Sequence, residues 1–149
     1  MHPVHDLRVR PDLRYVASGW SMLVTDTRGR ITGVEPQGFF ADNTRVLSRE
    51  LITVDGHEPQ AFSTANVGAQ GQLTYALISE QDSQGEVLPP QAVYLSVARF
   101  VGEGLRTRLG LHSYAEAPRR CAIRLELAAD FADNNVAVGR QTRTSLLQL

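Results

Sequence analysis

Between Leu105 and His112 the chain alternates strictly. Leu105, Thr107, Leu109 and Leu111 fall on one face, and Arg106, Arg108, Gly110 and His112 on the other. A side-chain period of two belongs to a strand with one buried face; a helix would repeat about every 3.6 residues. A slip of one residue would turn two arginines and a histidine into the core, so the pattern fixes its own register. The stretch before it, Val93 to Val101, sets Val93, Leu95, Val97 and Val101 on one face. Gly102-Glu103-Gly104 between the two is expected to supply the positive φ angles of a tight hairpin. The stretch after it, Arg120 to Leu127, turns Cys121, Ile123, Leu125 and Leu127 inward and Arg120, Arg124 and Glu126 outward. Turn chemistry at Ala115-Glu116-Ala117-Pro118 leads into it. These three segments are expected to form an antiparallel meander with one wet face.

The first half follows the same style. Trp20–Thr25 and Ile31–Val34 flank a hairpin candidate at Asp26-Thr27-Arg28-Gly29. Val46–Val54 reads as one strand ending at the Asp55-Gly56 turn, and Ala61–Val67 and Leu73–Ser79 read as two more. Thr44–Leu51 has a pattern that a helix could use, but the β-branched Ile52, Thr53 and Val54 downstream favour strand. Glu80–Pro90 reads as a polar surface loop closed by Pro89-Pro90. Strands at this spacing, without helical crossovers, predict an all-β antiparallel β-sandwich over residues 13–138. Residues 1–12 and 139–149 sustain no pattern. They are expected as an N-terminal tail and a C-terminal tail or truncated continuation.

A chain of 149 residues with 42% hydrophobic content can bury one core. Its 15 basic residues, all arginine, nearly balance 16 acidic ones, which excludes the basic excess of a nucleic-acid binder. Without lysine there is no Schiff-base or lysine-base chemistry, because arginine stays protonated. The single cysteine, Cys121, permits no intrachain disulfide, as suits a reducing compartment. No apolar run approaches the about 20 residues of a membrane helix, and the first sixteen residues hold no signal-peptide core. The expectation is a cytoplasmic protein with no membrane or nucleic-acid partner and no cofactor.

Few residues could carry chemistry. His2, His5, His57 and His112 share no metal-ligand spacing, and alternation puts His112 on a wet face. Cys121 falls on the core side of its strand, where it is a small hydrophobe rather than a nucleophile. Gly102-Glu103-Gly104 precedes no helix and so is no phosphate loop. Asp130 and Asp133 could be read as a glycosidase carboxylate pair. Asp-x-x-Asp serves turns and caps more often, however, and so short a chain barely provides a cleft. No catalytic residue and no metal ligand is expected. Asp42-Asn43-Thr44-Arg45 reads as a loop whose arginine pairs with a carboxylate, or as one projecting toward a neighbouring domain. Trp20, Tyr15, Tyr75 and Tyr94 are the aromatic side chains that could stack on sugar, with core packing as their competing use.

One longer stretch is more specific. Gly38-Phe39-Phe40-Ala41-Asp42-Asn43-Thr44-Arg45-Val46-Leu47-Ser48-Arg49, then Leu51 and Val54-Asp55-Gly56, resembles the N-terminal domain of bacterial glycogen debranching, or amylo-α-1,6-glucosidase-like, enzymes. Leu13-Arg14-Tyr15-Val16, Arg99-Phe100-Val101, Gly104 through Leu109, and Leu125 through Asp133 are similar in order and spacing. The likeness thus spans most of residues 13–138. It has one departure: Asn43-Thr44-Arg45 stands where an Asp-Thr-Arg is expected, which leaves the arginine's carboxylate partner to Asp42 or to nothing.

The resemblance implies a supersandwich-like module, incomplete at its C-terminal end, preceding an (α/α)-barrel glycosidase domain that holds the catalytic carboxylates. The expected function is a non-catalytic module of glycogen catabolism packed against that helical-barrel domain, with no enzyme activity of its own. Asp42, Asn43, Thr44 and Arg45 would then form an interdomain or cleft-rim loop. Two alternatives stand beside it. One is a carbohydrate-binding module for α-glucans. The other is a standalone oligomeric β-protein, because an exposed sheet edge invites self-association.

Overall fold

Alternation in the sequence becomes an all-β fold with no helix among the described residues. The computed structural model describes residues 10–78 and 93–133 and the backbone of a strand at 145–148. In chain order the strands are β1 (Leu13–Ser18), β2 (Ser21–Asp26), β3 (Ile31–Thr32), β4 (Gly38–Ala41), β5 (Thr44–Leu47), β6 (Arg49–Val54) and β7 (Gln60–Val67). There follow β8 (Gly71–Leu77), β9 (Val93–Val101), β10 (Leu105–Ser113), β11 (Ile123–Ala129), β12 (Ala132–Asp133) and β13 (Ser145–Gln148). They form three antiparallel sheets, ordered β1-β2-β4-β5-β12, β10-β9-β8-β7 and β13-β11-β6-β3.

The second of these sheets is the meander. β9 and β10 pair over their whole length, from Leu105 opposite Val101 to Ser113 opposite Val93, as the alternation predicts, although the turn closes without the positive φ expected at Gly102 and Gly104. The meander then continues to β8 and β7, not to the segment after β10 as expected. That segment is β11, which pairs with β6 and β13 in the third sheet. The cause is local. Ala122 N donates to Asp55 Oδ1 and Asp55 N donates to Ala122 O, both at 2.8 Å, so the turn after β6 captures the chain. Ile123, expected inward, is exposed at the start of β11.

Two further expectations are corrected where the chain changes sheets. Val46–Val54 is two strands, broken at Ser48, whose N and Oγ both donate to Ala128 O at 2.8 and 3.1 Å. There the chain passes from the first sheet to the third. The Asp26–Gly29 segment does turn the chain: Asp26 Oδ1 accepts from Arg28 N and Arg30 N, both at 2.9 Å. Yet β3 joins β6 of the third sheet, so the turn links two sheets instead of closing a hairpin.

These crossings bring the inner faces together. Val16, Leu23, Ile31, Phe39 and Val101 form one buried cluster drawn from all three sheets. Val54, Ile78, Val93, Leu95 and Val97 form a second, with the half-buried Cys121 packed against it. Each such side chain contributes about 1.5–3 kcal/mol through burial. Arg99 shares the parity of the valines of β9 and is itself buried. Its Nη1 donates to Gly29 O (2.6 Å) and Gln72 Oε1 (3.3 Å), its Nη2 pairs with Glu50, and Gln72 Nε2 donates to Thr25 Oγ1 (2.9 Å). This polar chain ties β9 and β8 to β6, to β2 and to the turn after β2. Gly29 fits there because its φ is +72° and a Cβ would collide with the Thr74 hydroxyl.

The expected loop at 80–90 and residues 1–9 of the expected N-terminal tail lie outside the described residues. Within 139–149, Ser145–Gln148 forms β13 against β11. No helix among the described residues is long and apolar enough to cross a membrane.

Candidate functional site

The Asp42–Arg45 segment is a hairpin, not a free loop. Asp42 (φ +47°) and Asn43 (φ +65°) form its two-residue tip, with Ala41 opposite Thr44. Asp and Asn tolerate this left-handed geometry better than other side chains, which is why the turn can close so tightly. Both tip residues are exposed and Thr44 is half-buried. Asp42 N donates to Trp20 O (3.2 Å), so the β1–β2 turn lies beside the tip. Trp20 is 83% exposed there. Trp20, one of the expected sugar-stacking residues, therefore stands beside Asp42, and none of the ring contacts among the described residues includes it.

Arg45 points the other way, into the sheet. Its Nε donates to Asp130 Oδ1 at 3.0 Å, its Nη2 pairs with Asp130 Oδ2, and its Nη1 donates to Gln37 O at 3.4 Å. Glu35 stands 3.8 Å from Nη2. The guanidinium's partner is thus 85 residues away and is not Asp42, which corrects the expectation. Two stretches that carry the family resemblance, one around Arg45 and one around Asp130, are in contact. The Asp130 hydrogen bond, against the cost of burial, pushes the Arg45 pKa further up. Burial would raise Asp130, but the Arg45 hydrogen bond, the Ala132 N–H and the guanidinium charge outweigh it and hold the carboxyl below its usual range.

A general acid needs the opposite shift, so the arrangement does not suit Asp130 to that role in a glycosidase pair. Asp133 lies in β12, opposite Thr44. Phe131 between them is exposed, with φ +50°, and its N–H donates to Arg45 O at 3.1 Å. A bulky residue in the left-handed region is uncommon, and the ion pair beside it fixes the conformation.

A second set of side chains lies on the outer face of the second sheet. Phe62 and Tyr75 have centroids 6.2 Å apart, Tyr75 and Tyr94 5.9 Å, and Tyr94 and Tyr114 5.7 Å. His112 stacks on Tyr94 at 4.6 Å. Of the four aromatic residues singled out from the sequence, only Tyr75 and Tyr94 meet. Tyr15 sits on β1, where its carbonyl accepts from Asn66 Nδ2 at 2.9 Å. Phe62, Tyr114 and His112, which residue type alone does not single out, complete the row. Tyr114 continues the parity of His112 past the end of β10, a signal the sequence did carry. Phe62 is the extra residue of a bulge, Ala61 pairing with Ala76 and Ser63 with Tyr75, so strict alternation misplaces it. The Tyr114 hydroxyl, as hydrogen-bond partner, raises the Tyr94 pKa.

An open cleft lies between the second sheet and β6. Its wall includes Glu50, already paired with Arg99, and Glu58, 3.7 Å from Arg30. No group of three or more potential metal ligands occurs among the described residues. Burial raises the Cys121 thiol, which is the shift of a packing residue rather than a nucleophile.

Over residues 16–147 the sequence matches the family described as the N-terminal domain of some glycogen debranching enzymes. No curated protein matches the chain.

Proposed function

Because the chain belongs to that family, we propose that it is the non-catalytic module of a glycogen-debranching-type glycoside hydrolase, packed against a helical-barrel catalytic domain. The observation that carries this reading is Asp130. The acid that could be imagined at work on a glycosidic bond is buried against Arg45 and held ionised. Its task is to fix the β4–β5 hairpin, and what that hairpin presents is a tip of Asp42 and Asn43 beside the protruding Trp20. A large aromatic anchor with polar neighbours is the composition of an interface centre. The tip is the interdomain contact at the rim of the sugar cleft, and the enzyme works in the cytoplasm, where Cys121 stays reduced.

The test is association in trans. The chain and the helical-barrel domain of a family enzyme, produced separately, are expected to co-elute in size-exclusion chromatography. Trp20→Ala is expected to weaken the complex about 30-fold, the about 2 kcal/mol of an interfacial tryptophan. Separate elution at about 100 μM of each would defeat the reading.

A further inference from the structure

We propose that two copies of this chain pair through β7, continuing the β10-β9-β8-β7 sheet across a two-fold axis at Ala65. This surface is separate from the Trp20 tip, and the proposal does not depend on what that tip contacts.

A sheet edge leaves a row of backbone donors and acceptors to satisfy. Proteins blunt such edges with brevity, charge or cover. Among the described residues, five of the six edge strands are managed in one of these ways. β3 and β12 have two residues each, and β13 has four. β10 carries Arg106 and Arg108. β1 carries Arg14, and its Tyr15 carbonyl already accepts from Asn66 Nδ2 at 2.9 Å. β7 is the exception. Its eight residues, Gln60–Val67, include no charge and no proline. Among the described residues it pairs on one side, with β8. A bulge also blunts an edge, and the one at Phe62 does so for the start of this strand. Residues 63–67 are left as a regular stretch, running opposite β8 from Tyr75 to Gly71.

The occupant is a second copy because the strand is complementary to itself. Two neighbouring antiparallel copies of one strand are related by an axis perpendicular to the sheet, so residues that meet must share a face. With the axis at Ala65, that residue meets Ala65 of the second copy. Thr64 then meets Asn66 of the second copy, and Ser63 meets its Val67. Alanine at the axis lets the two backbones close. Val67 and Phe62 are 54% and 60% exposed. Phe62 stacks on Tyr75, the residue opposite Ser63, and so stands on the same face as Ser63. The register therefore brings Val67 of each copy beside Phe62 of the other. An aromatic ring beside a β-branched side chain is a favourable cross-strand contact, and both apolar groups lose water there. No like charges meet in this register, and a net charge of −1 gives the copies little to repel each other with.

Sedimentation velocity of the 149-residue chain between about 5 and 500 μM tests this. A reversible dimer with Kd of about 10–200 μM is expected. Ala65→Glu sets two carboxylates against each other at the axis and should raise Kd at least tenfold. Ala65 is exposed, so its thermal melt at low concentration should match the parent. In a Cys121→Ser background, Ala65→Cys should give a disulfide-linked dimer with oxidised glutathione, and Arg108→Cys on the opposite edge should not. Three results overturn the proposal: a chain still monomeric at about 500 μM, a dimer that Ala65→Glu weakens less than tenfold, or cross-linking as fast at position 108 as at position 65. No catalytic domain takes part, so failure here leaves the association in trans standing.

Discussion

The two faces of the β7–β10 sheet are made by alternate residues of the same strands, yet they do different work. On the inner face Arg99 reaches Glu50, Gly29 and Gln72, and through Gln72 it reaches Thr25. Every one of those contacts crosses to another strand or turn. On the outer face the ring contacts of Tyr94 among the described residues are with Tyr75, His112 and Tyr114, all on its own sheet or just past its end. A change inside is therefore expected to act on folding, and a change outside to leave folding largely intact. The β4–β5 hairpin repeats the division at smaller scale: Arg45 at its base is locked to Asp130, while Asp42 and Asn43 at its tip face solvent.

The contrast is broken most severely at Glu50. Glu50→Ala leaves Arg99 charged, buried and without its carboxylate, and is expected to cost about 3–5 kcal/mol in urea unfolding. A loss under about 1 kcal/mol would mean that the inner network is not what joins the sheets. Asp130→Asn should follow at about 3 kcal/mol, the low end of that range, since Glu35 stands near enough to compensate Arg45 in part. This pair also has a pH signature. The folded pKa of Asp130 lies below an unfolded value near about 3.9, so its stabilisation is complete above about pH 4 and is lost as pH falls through the folded value. Thermal melts of Asp130→Asn should lack that acid-side loss. Gly29→Ala is expected to cost about 1–3 kcal/mol, from the positive φ and the collision with Thr74. Smallest is Tyr114→Ala, within about 0.5 kcal/mol of the parent by the same melts. A large destabilisation there would erase the distinction between the faces.

Much of this was legible in the sequence, and the misses share a cause. Period two identifies strands and faces, and the β9–β10 hairpin came out in register because its turn is short and its pattern unbroken. Period two says nothing about which sheet a strand joins. That choice was made by single polar groups: Ser48 bonding Ala128, Asp55 bonding Ala122, and the Asp26 turn delivering β3 to β6. Arg99 is not legible as a core residue, because a charged residue in an inward position looks like a break in the pattern until its partner, 49 residues away, is known. The Asp130 partner of Arg45 was hidden for the same reason, although both lay in stretches that carried the family resemblance. The aromatic row was half legible, Tyr75 and Tyr94 from residue type, Phe62 only from the bulge.

In its proposed role this sandwich is bound and does not break bonds. The direct measurement is glucose release from an α-1,6-branched limit dextrin by the pure chain over hours. No release above the buffer blank is predicted, for the parent and for Asp130→Ala and Asp133→Ala alike. Turnover by the parent that either substitution abolishes would contradict it.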